Sequence, residues 1–230
     1  VKGDKNFEKL RSKINLDRTL KLTSDFDLHP ALKTFKSLWD QNLSAAVHAT
    51  NIPYTGRSHF DGQNLMESGG KIPYQEKTGW LGRGMKTAGL TGQGLALALP
   101  MPLLIRGVPM NNNYFPVGRS LPYPSTLELI QKAYKEYDEK LLNENLEIIL
   151  TRDFNNRSSD DAWILASSAG TELSKPNGPK VAVFEVDGFD THAAQGATDG
   201  AHADCLSDYD NIVRSLKSSM SEEAFNNTLV

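Results

Sequence analysis

Two short stretches hold the residue types best suited to chemistry. In the first, Arg57, Ser58, His59, Phe60 and Asp61 follow one another. A serine at a helix start accepts a backbone N–H as a cap, and an acid three residues on can return a bond to the serine's own N–H. The same position suits anion binding or nucleophilic attack. A helix N-terminus concentrates partial positive charge, and Arg57 adds a two-pronged donor for phosphate, sulfate or carboxylate. In the second stretch a mostly apolar run, residues 181–186, leads into Asp187, Gly188, Phe189, Asp190, Thr191 and His192, with His202 beyond. Oxygen and nitrogen donors in this mixture suit zinc, manganese or iron, and with fewer imidazoles magnesium. Carboxylates crowded beside imidazole also invite displaced, coupled titration. The competing reading is a polar loop in which Asp190 bonds its own backbone and His202 caps a helix.

Residues 56–60 are similar to the G-x-S-x-G nucleophile elbow of the α/β-hydrolases, with Phe60 where the last glycine belongs. That similarity would make Ser58 the nucleophile of a metal-free serine hydrolase. His29 and His48 stand at a helix start and a strand end, positions where imidazoles are usually structural. Cys205 is the one cysteine, so neither an intrachain disulfide nor a thiolate zinc site can be built, and it reads as a small buried thiol.

The elements that must hold these loops follow from pattern. Residues 7–14 read as a short helix, 15–22 as extended and 25–28 as a loop. His29-Pro30 opens a helix with Leu32, Phe35, Leu38 and Trp39 on one face. Residues 43–49 read as a buried strand, 50–57 as a loop, and a helix runs from Ser58 to the stop at Gly69-Gly70. A helix over 79–88 precedes short apolar strands at 95–99 and 103–106. Residues 108–124 form a long loop with three asparagines, Asn111 to Asn113, a length typical of lids and binding loops. Ser125 and Glu128 have capping-box spacing and open a helix with Leu127, Ile130, Tyr134, Tyr137 and Leu141 inward. A helix over 158–173, a turn at 175–179, a strand at 181–186 and a helix over 203–220 complete the chain. The last helix shows Leu206, Tyr209, Val213 and Leu216 on its apolar face.

Strands alternating with helices predict a doubly wound α/β domain: a mainly parallel sheet with helices on both faces, with residues 45–47 and 181–186 as central strands. Both candidate loops would then leave the sheet by the carboxyl ends of its strands, where sites in such folds gather. The chain has 230 residues, enough for a single domain spanning 1–230, and a net charge of −3. No basic stripe marks a nucleic-acid partner, and no apolar run approaches the roughly 20 residues of a membrane helix. The expected partner is a small anionic substrate.

Several stretches, taken in order, resemble one family. They are residues 28–32, Trp39, residues 46–49, 57–60, 79–83, 102–107 and 188–192. The family is a large uncharacterised bacterial group with an alkaline-phosphatase-like, sulfatase-like fold, commonly exported by the twin-arginine route. The resemblance implies an exported or periplasmic hydrolase of phosphoric or sulfuric esters that uses divalent metal: zinc, manganese or magnesium. By the same resemblance Ser58 is the nucleophile, Arg57 steadies the anion, and Asp190 and His192 are metal ligands, with Asp187 and His202 as further ligands. His59 and Asp61 flank the nucleophile. Family members carry an Asp-Gly-rich motif upstream of Val1, and Glu-Phe-Gly-Arg and Asp-His-Gly motifs downstream of Val230. The resemblance thus implies a chain truncated at both ends and short of a complete two-metal site. A non-catalytic exported protein on the same fold, binding through its asparagine-rich loop, is the alternative.

Overall fold

The computed structural model of the chain describes residues 6–14, 17–114, 123–137, 140–151 and 161–230. In chain order the elements are α1 (Phe7–Leu10), β1 (Leu20–Lys21), β2 (Asp27–Leu28), α2 (Lys33–Asp40), α3 (His59–Ser68), α4 (Trp80–Thr87) and β3 (Gly94–Leu97). A single 3-10 turn (Leu103–Ile105) follows, then β4 (Asn112–Tyr114), α5 (Pro124–Glu136), α6 (Lys140–Thr151), α7 (Ala162–Leu173), β5 (Val181–Val183), α8 (Ala201–Ser219) and α9 (Glu222–Asn226). The described elements fall into two compact units. One holds everything up to Tyr114 and from Asp161 onward; the other holds α5 and α6, which pack on each other.

The larger unit is mixed α/β. Its main sheet is parallel, in the order β4-β3-β5, and β1 and β2 form a separate antiparallel pair. β3 is buried along its whole length because both faces are covered. Leu95 and Leu97 enter a core with Leu165, Ala166 and Ala169 of α7 and Ile212 and Leu216 of α8. Ala96, between them, points the other way, into a core with Met85 of α4, Ile105 and Val108. A strand's side chains alternate between faces, so one short apolar run serves both layers. Removing Leu97, 1% exposed, would cost about 2–5 kcal/mol by the usual cavity scale. α7 and α8 form the most extensive helix contact, and Gly170 lets them approach closely: a Cβ there would lie 2.1 Å from Ser219 Oγ.

Several expectations are corrected. Residues 43–49 form no strand; the run is irregular, with Val47 79% exposed, so the central strand is β3 rather than 45–47. Three of its seven residues are alanines, which bury little area, and no described strand offers it a ladder. The 181–186 run, a strand only over Val181–Val183, lies beside β3 at the other end of the order from β4. Residues 103–105 form a 3-10 turn opened by Pro102 at its N-cap, and the Leu104 N–H is taken by the Glu67 carboxylate rather than by a neighbouring strand. Residues 27–28 pair as a strand instead of looping, and the first helix ends at Leu10. Within the long loop residues 112–114 are a strand, while 115–122 lie outside the described residues. The expected capping box at Ser125 does not form: Pro124 takes the first helical position, and Tyr123 at the N-cap makes no side-chain cap bond. Of the apolar face assigned to that helix, Leu127 is buried but Tyr137 is exposed. The start of the 158–173 helix lies partly outside the described residues; from Ala162 it is helical. In α8 the buried positions are Ala203, Asp210, Ile212 and Leu216, and Tyr209 is exposed.

Candidate functional site

The chain leaves β5 through Phe184 and Val186, which pack on the α7–α8 core. It then turns at Gly188, whose φ of 95° lies in the left-handed region glycine tolerates. Cys205 of α8 donates to the Gly188 carbonyl at 3.1 Å, so the thiol braces this turn. Beyond it, Asp190 Oδ2 lies 2.8 Å from His192 Nε2, and both side chains stay largely in solvent. Thr191 N–H donates to the Phe189 carbonyl at 3.1 Å and holds the turn between the pair. His202 stands in the first turn of α8, its ring edge-on to Phe189 at 6.1 Å, and its buried Nδ1 has no partner among the described residues. Asp187 is exposed and makes no hydrogen bond or ion pair among the described residues. Of the four expected ligands, then, the structure joins Asp190 to His192. Among the described residues no three His, Cys, Asp or Glu gather as metal ligands would.

The 57–61 stretch is built differently. Ser58 is the N-cap of α3, and its Oγ accepts the Asp61 N–H at 3.2 Å. The reciprocal bond expected of Asp61 is replaced by a third residue. Tyr54 Oη accepts the Ser58 N–H at 3.2 Å and donates to Asp61 Oδ2 at 3.1 Å. Gly56 leaves the space the phenol occupies, since a Cβ there would sit 2.2 Å from Tyr54 Oη. A second phenol, Tyr74, feels the same carboxylate: desolvation first, then hydrogen bonding toward Asp61 and its charge, raise its pKa above the ordinary 10.0. Arg57 and His59 are exposed and without hydrogen-bonding partners among the described residues. Because no strand precedes this turn, the topological reason for placing Ser58 in one cleft with Asp190 and His192 falls away.

Of the other imidazoles, His29 is hydrogen-bonded through both nitrogens: Nδ1 accepts the Ala31 N–H at 3.2 Å while Nε2 meets the Ala197 carbonyl at 2.9 Å. His48 is exposed and stacks on Phe26 at 4.1 Å. Sequence reasoning missed Asp210. This buried carboxylate of α8 accepts the Thr34 N–H at 2.8 and 3.0 Å and the Phe35 N–H at 3.2 Å, capping α2 from across the fold. An acid at an inward position of an apolar helix face was the available signal. Tyr54, four residues before the serine it supports, carried none.

The unit also holds an open cleft of about 950 Å³ beside α7, edged by β4. No helix among the described residues is long and apolar enough to cross a membrane. No family model, curated protein or solved structure matches the chain.

Proposed function

We propose that this chain carries the chemistry of an exported hydrolase of phosphoric or sulfuric esters on an alkaline-phosphatase-like architecture, centred on Asp190 and His192. The observation that carries the reading is their 2.8 Å pairing on the loop that follows β5. A parallel sheet presents its functional loops beyond the carboxyl ends of its strands, and this loop leaves by that end. The Asp190 carboxylate holds the imidazole through Nε2, which leaves Nδ1 to take a proton from water as its oxygen bonds to phosphorus or sulfur and to return that proton to the departing alkoxide as the ester bond breaks.

Divalent metal belongs to the reading by resemblance, where it would neutralise charge on the ester's oxygens. Asp190 and His192 offer two donors, whereas catalytic zinc generally takes three from protein. The described residues do not fit a closed metal site. Ser58 supports a nucleophilic role less well, because its Oγ is engaged by the Asp61 N–H and no imidazole among the described residues bonds it.

Turnover of p-nitrophenyl phosphate and p-nitrophenyl sulfate, with metal content measured after dialysis against chelator, tests this reading. Asp190→Asn and His192→Ala should each abolish turnover. Wild-type activity left intact by both changes would refute it. A second reading, a non-catalytic binding protein, is favoured by one observation: the cleft beside α7 is edged by the asparagine-rich strand β4.

A further inference from the structure

We infer that the cleft beside α7 binds a neutral saccharide, an inference that rests on the binding reading and is independent of Asp190 and His192. Register places its walls. Leu95 pairs with Asn112 and Leu97 with Tyr114, and paired residues of neighbouring strands point to the same face. Asn112 and Tyr114 therefore stand on the face of the sheet that α7 covers over β3. The cleft is the space left between them and the helix, with Leu95 and Leu97 as its floor. Ser167 and Ser168 of α7 line the opposite wall.

The polar groups here are not committed elsewhere. Among the described residues the Asn112 amide, the Tyr114 phenol and the Ser167 and Ser168 hydroxyls have no hydrogen-bonding partner, whereas Asn113, facing the other way, is spent on the Leu99 carbonyl at 2.8 Å. Amides and hydroxyls both donate and accept, as sugar hydroxyls do, and an aromatic ring at the rim offers an apolar face to a pyranose.

Charge argues against an anion. Lys175 is paired with Glu172 at 2.6 Å, and the part of α7 that lines the cleft is its C-terminal half, whose dipole repels negative charge. Among the described residues of the lining, only Lys180 is left as an uncompensated cation. An extended peptide fits poorly as well. The Tyr114 carbonyl already accepts the Ala98 N–H at 2.7 Å, so along this three-residue strand only Asn113 turns its backbone groups outward. A volume of about 950 Å³ lies at the upper end of ordinary small-molecule sites and suits an oligosaccharide better than one ring.

The test is titration of the folded chain with maltotriose and with chitotriose, followed by backbone amide shifts, with inorganic phosphate as the anionic comparison. At least one trisaccharide should shift the amides of residues 112–114 and 167–171. Tyr114→Ala should weaken binding roughly tenfold, about the loss of one stacking contact. Both Tyr114 and Asn112 are exposed, so these variants keep the fold, which circular dichroism verifies; Asn112→Ala gives a second, independent loss. Asp190→Ala should leave the affinity unchanged. Phosphate binding here without either sugar would overturn the ligand class while leaving a binding protein. Absence of any binding up to about 10 mM, a free energy near −3 kcal/mol, would overturn the binding reading as well and leave the hydrolase reading untouched.

Discussion

Gly56→Ala should destabilise the fold through one neighbour, Tyr54. An added Cβ would lie 2.2 Å from Tyr54 Oη, 2.4 Å from Cζ and 2.8 Å from Cε2, far inside contact distance. Gly56 does not have a positive φ, so alanine meets no backbone strain there and the cost comes from displacing the phenol. Once the ring swings away, the Ser58 N–H loses its acceptor and the Asp61 carboxylate loses the Tyr54 hydroxyl. Two hydrogen bonds, one to a carboxylate, amount to about 2–3 kcal/mol after allowing for partial exposure. For a domain of this size that corresponds to a fall of roughly 5–10 °C in Tm. The decisive assay is a double-mutant cycle by denaturant unfolding. In a Tyr54→Ala background the obstacle is gone, and Gly56→Ala should be neutral or slightly stabilising, because alanine restricts the unfolded chain. Equal destabilisation by Gly56→Ala in both backgrounds would refute the proposed contact between Tyr54 and the α3 N-terminus.

Asp210→Ala should cost about 2–3 kcal/mol in urea unfolding, since three bonds to the first turn of α2 are lost; Asp210→Asn, which keeps one acceptor oxygen, should cost less. Gly82→Ala should be among the most damaging single changes, because its Cβ would stand 2.0 Å from the Arg106 carbonyl oxygen, and backbone cannot step aside as a side chain can; loss of soluble, folded protein is the readout. Tyr74 has a folded-state pKa raised above its unfolded value, so its contribution to stability is complete below pH about 10 and is lost as pH rises through the folded value. Unfolding midpoints between neutral and strongly alkaline pH should fall more steeply for the wild type than for Tyr74→Phe.

The parts of the fold that sequence made legible are those where local pattern and tertiary demand agree. The stop of α3 at Gly69, with φ of 66°, and the course of α4 between Gly79 and Ala88 follow from their punctuation. Asp190 and His192 stand on a loop after a strand, as the apolar run before them implied. The misreadings arose where an apolar run lacked a partner. Residues 43–49 look like a strand until one asks what they pair with. β4 looked like loop because Asn112 and Asn113 are poor strand formers, yet β3 supplies a ladder they join. At the 57–61 turn the capping serine was readable. The phenol completing the cap was not, because its contribution depends on how residues 54–58 fold back, a geometry no residue spacing encodes.

The cap that Asp210 places on α2 has a consequence for the order of assembly. Thr34 and Asp210 are separated by 176 positions, so during synthesis the first turn of α2 emerges long before the carboxylate that completes it. Until α8 arrives, those amides can bond only to water, and an eight-residue helix is too short to persist alone. Long-range closure of this kind slows folding. α2 and α8 should therefore gain protection together in a pulse-labelled exchange experiment, late, as one cooperative event rather than as a helix formed early and a helix added to it.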